Sequence, residues 1–89
     1  MPTANTTITN KLGLHARASA KLTKLAGSFA SEVWISHGER RVNGKSIMGV
    51  MMLAAGIGSQ VELDTEGEQA QEALDALLAL MADKFGEGE

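Results

Sequence analysis

The sequence predicts an α+β domain whose helices and strands form two layers, in the order β-α-β-β-α-β-α. Three observations lead to this fold class. Stretches rich in β-branched residues alternate with stretches whose apolar residues recur at helical spacing. Each predicted helix has an apolar stripe that needs a sheet face to cover it. The fourth predicted strand alternates apolar and polar residues, which indicates a sheet buried on one face and open to water on the other.

The first predicted strand covers residues 3–9, which are rich in threonine. A loop over residues 10–15 separates it from a helix that begins near Ala16. The apolar residues of this helix recur at helical spacing, and they are Ala18, Leu22, Leu25, Ala26 and Phe29. The helix is expected to end at Gly27, because glycine is common where a helix stops.

Two strands and a short helix follow. Residues 32–36 and 40–43 predict the second and third strands, which form a hairpin across the turn at 37–39. Residues 47–55 predict a second helix. Ser46 is expected to be its N-cap, because a serine oxygen accepts a hydrogen bond from an amide of the first turn and contributes about 1 kcal/mol.

The last part of the chain predicts one strand and one long helix. Residues 60–64 alternate as the fourth strand, and residues 66–68 are expected to break it. The apolar stripe of the amphipathic third helix contains Ala70, Ala73, Leu74, Leu77, Leu78, Met81 and Phe85. We expect this helix to end at Gly86 and residues 87–89 to fray.

Composition limits the class of protein. A chain of 89 residues, 44% hydrophobic and 21% charged, predicts a single globular domain over residues 1–89. The net charge of −3 argues against general nucleic-acid binding. The absence of cysteine excludes disulfides and thiolate metal sites. No long apolar run or signal-peptide core is present, so we expect a cytoplasmic protein without membrane insertion.

The most informative segment is residues 13–17 (Gly-Leu-His-Ala-Arg), which places His15 and Arg17 where the first helix begins. A helix start has unpaired backbone N–H groups and partial positive charge, so it favours a phosphate or carboxylate. It also disfavours the protonated imidazole, which keeps a ring nitrogen free to attack phosphorus. We interpret His15 as a residue that accepts and passes on a phosphoryl group, with Arg17 and the helix-start amides binding its oxygens.

The predicted second helix is apolar on more than one side. One face contains Ile47, Val50, Met51 and Ala54, and another contains Met48, Met52 and Ala55. A helix of this kind is either buried all round or docks a partner. Full burial is difficult in so small a domain, and methionines suit an adaptable docking surface. A phosphate on Ser46 would lie at the helix N-terminus and would repel an acidic partner docked beside it.

Two linked motifs resemble the HPr family, the histidine-containing phosphocarrier proteins of the bacterial phosphoenolpyruvate-dependent phosphotransferase system. They are residues 13–17 and residues 42–48 (Val-Asn-Gly-Lys-Ser-Ile-Met), and the resemblance extends over residues 3–85. It implies an open-faced β-sandwich, with four antiparallel strands covered on one face by three helices. Many members have proline directly after the arginine. This chain has Ala18 there, which is expected to loosen the turn at His15 slightly.

The resemblance also implies the roles of particular residues. His15 matches the histidine that receives phosphate on Nδ1 from enzyme I and gives it to enzyme IIA proteins, and Arg17 matches the arginine beside it. Ser46 matches the serine modified by HPr kinase/phosphorylase. The expected partner-docking residues are Ala16, Ala20, Ile47, Met48 and Met51.

These inferences predict a monomeric phosphocarrier that does not turn over a substrate by itself and needs no metal or organic cofactor. One alternative is a non-enzymatic binding module, in which His15 and Arg17 form an anion site and Met48 and Met52 dock a regulator. RNA binding across the open sheet is a second alternative. It is disfavoured because it requires stacking aromatics and only Trp34 is available. Some relatives serve regulatory phosphorelays, and the motifs do not separate that role from sugar uptake.

Overall fold

The computed structural model of the protein describes residues 2–87. The order of its helices and strands is the predicted one, followed by a short 3-10 turn. In chain order they are β1 (Thr3–Thr7), α1 (Ala16–Gly27), β2 (Ser31–His37), β3 (Arg40–Asn43), α2 (Ile47–Met52), β4 (Gln60–Gly67), α3 (Ala70–Ala82) and the turn Lys84–Gly86.

The four strands form one antiparallel sheet in the order β1-β4-β2-β3. The central strand β4 pairs with β1 on one side and with β2 on the other, so that Leu63 lies opposite both Ala4 and Ile35. The short strand β3 extends the sheet beyond β2, with Val42 opposite Ile35. This is the four-stranded antiparallel sheet that the resemblance implied.

The two faces of the sheet differ as the alternation in β4 predicted. Side chains on one face are buried under the helices, and those from the two central strands are Ser31, Val33, Ile35, Val61, Leu63 and Thr65. The opposite face is polar and partly exposed. There the Arg41 guanidinium lies 5.0 Å from the centroid of the half-buried Trp34 ring. Within residues 2–87, no helix is both long and apolar enough to cross a membrane.

Helix α1 begins and ends where the sequence predicted. Ala18, Leu22 and Ala26 on its inner face are completely buried, so the apolar spacing correctly predicted the residues that pack into the core. The helix begins at Ala16 although alanine occupies the position where many family members have proline. Ala18 is fully buried at this position.

Several strand and helix boundaries differ from the prediction. Strand β2 (Ser31–His37) is one residue longer at each end than the expected residues 32–36. Strand β1 ends at Thr7 instead of residue 9. Strand β4 continues through the predicted break to Gly67, because its end pairs with Ser31 at the start of β2. Helix α2 stops at Met52, short of residue 55, because Ala54 adopts a positive φ of 52° that an α-helix does not accommodate.

The end of the chain also departs from the prediction. Helix α3 stops at Ala82, and a 3-10 turn over Lys84–Gly86 replaces its expected last turn. Phe85 has a positive φ of 57° and is 1% exposed, so this turn inserts its side chain into the core. Glu87 was expected to fray, yet its amide bonds to the Lys84 carbonyl at 3.0 Å. The fraying expected at residues 88 and 89 lies outside the described part of the chain.

Candidate functional site

The loop before α1 presents its last residue at the mouth of the helix. Gly13 has a φ of +65°, and its amide bonds to the Asn10 carbonyl at 3.2 Å. Leu14 then turns into the core, where its amide donates to the Ala55 carbonyl at 2.9 Å. The loop is therefore fixed to the segment after α2, and His15 follows in a defined position.

His15 is the N-cap residue of α1. Its backbone is extended (φ −73°, ψ 178°), and its carbonyl accepts the first helical bond from the Ser19 amide at 2.8 Å. Its side chain makes no capping bond to the helix and is 27% exposed. The first amides of α1 are thus left without a side-chain cap from His15, and they are suited to bind an anion beside the ring.

An open cleft of about 620 Å³ surrounds the His15 ring. The cleft is lined by the loop before α1, by the first turns of α1 and by the terminal turn, which we define as the 3-10 turn Lys84–Gly86 together with Glu87. The lining residues are Lys11, Leu12, His15, Ala16, Arg17, Lys21, Gly86 and Glu87. The predicted pair His15 and Arg17 therefore share one cavity. Cationic side chains at Lys11, Arg17 and Lys21 give this cavity a field that attracts anions.

A carboxylate that the sequence did not suggest contacts the ring. Oε2 of Glu87 lies 2.5 Å from Nε2 of His15, and Glu87 is 14% exposed. The other carboxylate oxygen accepts a hydrogen bond at 3.0 Å from Nδ2 of the buried Asn10. The hydrogen bond from Asn10 lowers the pKa of Glu87 below its ordinary value, and His15 and Lys21 add to this effect. Glu87 is therefore ionised at neutral pH.

This contact determines which nitrogen of the neutral ring is free. An ionised carboxylate can only accept hydrogen bonds, so Nε2 of His15 must donate the proton between them. The lone pair of the neutral imidazole then lies on Nδ1. The ring with this free nitrogen lies at the mouth of a helix and lines a cavity that also contains cationic side chains.

The terminal turn holds Glu87 in place. Phe85 anchors this turn in the core, and Nζ of Lys21 donates to the Phe85 carbonyl at 2.6 Å. Asn10 donates from the same Nδ2 to the Gly13 carbonyl at 2.8 Å, which joins the turn to the loop before His15. Neither Asn10 nor Glu87 was predicted as a site residue, because Asn10 was expected in a loop and Glu87 in a frayed end.

Ser46 is the N-cap of α2, as predicted. Its Oγ accepts a hydrogen bond from the Gly49 amide at 3.2 Å, and the residue is exposed to solvent. The hydroxyl is therefore open to modification at the N-terminus of the helix.

Helix α2 exposes an apolar surface. The expected docking residues Ile47, Met48 and Met51 are 41%, 66% and 38% exposed, and Met52 is 61% exposed. The two expected apolar faces are split, because Val50 and Ala55 are buried while the other members of each face are exposed, and because α2 ends before Ala54 and Ala55. Helix α1 packs beside α2 and exposes Ala16 and Ala20, whose small side chains leave room for a partner.

Two large side chains outside these motifs have structural contacts. Nδ1 of His37 lies 3.0 Å from the Leu53 carbonyl, and Nη1 of Arg40 donates to the Met52 carbonyl at 2.6 Å. Both contacts satisfy carbonyls at the end of α2. His37, predicted to lie in a surface turn, is instead the last residue of β2 and is half-buried.

Comparisons with known proteins agree over nearly the whole chain. The family described as "PTS HPr component phosphorylation site" matches residues 2–83. Phosphocarrier protein HPr of Cupriavidus necator is 71% identical over 85 residues, which cover 96% of each chain. The crystal structure of an HPr from Thermoanaerobacter tengcongensis has a TM-score of 0.95 at 42% identity and covers 98% of both chains. A crystal structure of an HPr dimer from that organism has a TM-score of 0.79 at 42% identity, covering 98% of this chain and 100% of that one.

Proposed function

Since this chain belongs to the HPr family of phosphocarrier proteins of the phosphotransferase system, we propose that His15 is its phosphoryl acceptor and that Nδ1 carries the group. One observation carries this proposal. Glu87 occupies Nε2 of His15, which leaves the lone pair on Nδ1 of a ring that lines a cavity together with Lys11, Arg17 and Lys21. The chain transfers the group and is not itself an enzyme.

The transfer is a simple exchange of bonds. Nδ1 of His15 attacks phosphorus on phosphorylated enzyme I, the new N–P bond forms, and the bond from phosphorus to its donor atom breaks with its electron pair returning to the donor. The reverse exchange with an enzyme IIA protein releases the group from His15. Arg17 and the first amides of α1 bind the phosphoryl oxygens in both steps. No metal or organic cofactor takes part.

The exposed surface of α1 and α2 holds the partners in line with the ring. Enzyme I and the IIA proteins dock on residues that combine small and apolar side chains, namely Ala16, Ala20, Ile47, Met48 and Met51. Such a surface leaves room for an incoming helix or loop and adapts to more than one partner.

Exchange takes place in the cytoplasm, and residues 1–89 act as one domain and as a monomer. A stable dimer at the concentration used for phosphotransfer would overturn the assignment as a monomer.

The carrier role is tested by labelling with radioactive phosphoenolpyruvate. In the presence of enzyme I, the protein is expected to acquire label that is stable in alkali and lost in acid, as N–P bonds are. Adding an enzyme IIA protein is expected to remove the label from the chain. Absence of label in the presence of active enzyme I would overturn the carrier role and favour the anion-binding module.

Phosphorylation of Ser46 by an HPr kinase/phosphorylase regulates this exchange. Ser46→Asp adds a negative charge at the edge of the docking surface and keeps a good N-cap, because aspartate caps helices as well as serine does. We expect enzyme I to phosphorylate His15 about tenfold more slowly in this variant, which corresponds to a loss of about 1.4 kcal/mol in docking. The initial rate of label uptake measures this effect.

Ser46→Ala is the matched control for charge. It loses the bond from the Gly49 amide, so it is expected to be about 1 kcal/mol less stable to urea than the parent. Its rate of label uptake at 25 °C is expected to equal that of the parent. A similar slowing in both variants would assign the effect to the cap and contradict electrostatic regulation.

A further inference from the structure

We propose that Glu87 is a positioning residue, whose carboxylate keeps the proton of the His15 ring on Nε2 while phosphate is carried on Nδ1. The inference rests on the proposed function, because it concerns the reactivity of the same ring. The terminal turn thereby gains a role at the site, although Glu87 is separated from His15 by 72 residues in the chain.

The carboxylate is held by contacts that do not involve His15. Asn10 is 0% exposed, and its Nδ2 divides its two hydrogens between Oε1 of Glu87 and the Gly13 carbonyl. Phe85, buried in the core, and the Lys84 carbonyl fix the backbone of the turn. Glu87 therefore keeps its place and its charge when the ring changes state, which is the requirement for positioning.

The proton on Nε2 decides how good a leaving group the ring is. When the P–Nδ1 bond breaks, its electron pair returns to Nδ1. If Nε2 keeps its proton, the product is neutral imidazole, whereas an unprotonated Nε2 would give the much more basic imidazolate. A ring with phosphate on Nδ1 and a proton on Nε2 carries positive charge, and the Glu87 carboxylate beside Nε2 stabilises that charge.

The other charged groups around the ring act in the opposite direction. The cleft is lined by Lys11 from the loop and by Arg17 and Lys21 from α1, all cations that disfavour a positive ring. Among the residues described for this cleft, Glu87 is the one acid. The cations assist uptake of the phosphate but disfavour the proton on Nε2 of His15. Glu87 offsets this unfavourable effect and so keeps the proton that release of the phosphoryl group needs.

The test measures the protonation of Nε2 directly. Phosphoramidate phosphorylates His15 without enzyme I, because Nδ1 attacks phosphorus and ammonia leaves. A ³¹P NMR titration of this product then gives the midpoint of Nε2 protonation in the phosphorylated ring. Glu87→Gln is expected to lower that midpoint by about one pH unit, and to slow transfer to an enzyme IIA protein up to about tenfold at a pH above the midpoint.

Two further variants show that the charge at this position is responsible. Glu87→Asp keeps the carboxylate on a shorter side chain and is expected to recover part of the shift. Glu68→Gln removes an exposed carboxylate between β4 and α3 and is expected to leave the midpoint unchanged. An unchanged midpoint in Glu87→Gln, or an equal shift in Glu68→Gln, would overturn the inference.

The outcomes separate this inference from the carrier role. A normal midpoint in Glu87→Gln together with normal labelling by enzyme I would remove the role of Glu87 alone. A lowered midpoint in Glu87→Gln without labelling of the parent by enzyme I would support the action of Glu87 on the ring and reject the carrier function.

Discussion

Replacing His15 by alanine is expected to reduce enzyme I-dependent labelling to below about one thousandth of the parent rate, the order of loss seen when a covalent nucleophile is removed. The reason is chemical, since alanine has no lone pair with which to form the N–P bond. Arg17, the first amides of α1 and the docking surface would all remain, so the variant should still bind enzyme I. Radiolabel from phosphoenolpyruvate measures the loss.

Stability distinguishes this loss from misfolding. The His15 side chain is partly exposed, makes no capping bond to α1 and contacts a carboxylate at the edge of a cleft. The variant is therefore expected to unfold in urea within about 0.5 kcal/mol of the parent. His37→Ala is the matched control, because it removes the other histidine and its contact with the Leu53 carbonyl. Full labelling of the His15 variant, or loss of label in the His37 variant, would contradict the assignment.

Gly13→Ala is expected to cost about 3 kcal/mol of unfolding free energy and to lower Tm by about 15 °C. Two effects add. The backbone at Gly13 has a φ of +65°, where a side chain costs about 1–2 kcal/mol. A Cβ there would also lie 2.5 Å from the Ala55 carbonyl oxygen and 2.7 Å from Cα of Gly56, and backbone cannot rotate away. Overpacking of this kind adds about 1–3 kcal/mol. Urea and thermal unfolding measure the loss.

Gly38→Ala separates the two effects. Gly38 also has a positive φ, +62°, but a Cβ there would meet nothing within 4 Å. Gly38→Ala is therefore expected to lower the free energy of unfolding by about 1 kcal/mol, which is the cost of the backbone conformation alone. Because the Gly13 loop leads directly into His15, we also expect label uptake to fall in Gly13→Ala and to stay normal in Gly38→Ala. Equal losses of stability in the two variants would show that the close approach to Ala55 does not matter.

Features encoded by neighbouring residues could be predicted from the sequence. The start of α1 follows from its apolar spacing and its end from Gly27, and β3 has the bounds expected from the hairpin pattern. The Ser46 cap was also predictable, because a serine oxygen reaches an amide of the next helical turn within a few residues. The antiparallel pairing of all four strands was predicted from the resemblance, because it depends on contacts between distant strands.

Features that depend on distant contacts could not be predicted. Asn10 and Glu87 are 77 residues apart, and no periodic pattern connects them. The early end of α2 depends on a positive φ at Ala54, and that of α3 on positive φ values at Lys84 and Phe85, residue types that seldom adopt this conformation. Phe85 continues the apolar spacing of α3, so spacing alone extended that helix too far. The acidic partner of His15 was missed for this reason.

The sheet order β1-β4-β2-β3 has a consequence for how the protein is made. The β2–β3 hairpin pairs nearby residues, whereas β1 must wait for β4, whose residues are synthesised more than 50 positions later. Glu87 leaves the ribosome later still. A nascent chain would thus expose His15 long before Glu87, the residue that we propose to position its ring, has been translated. Full phosphotransfer activity would then be acquired only after β4 has closed the sheet and Glu87 has been synthesised.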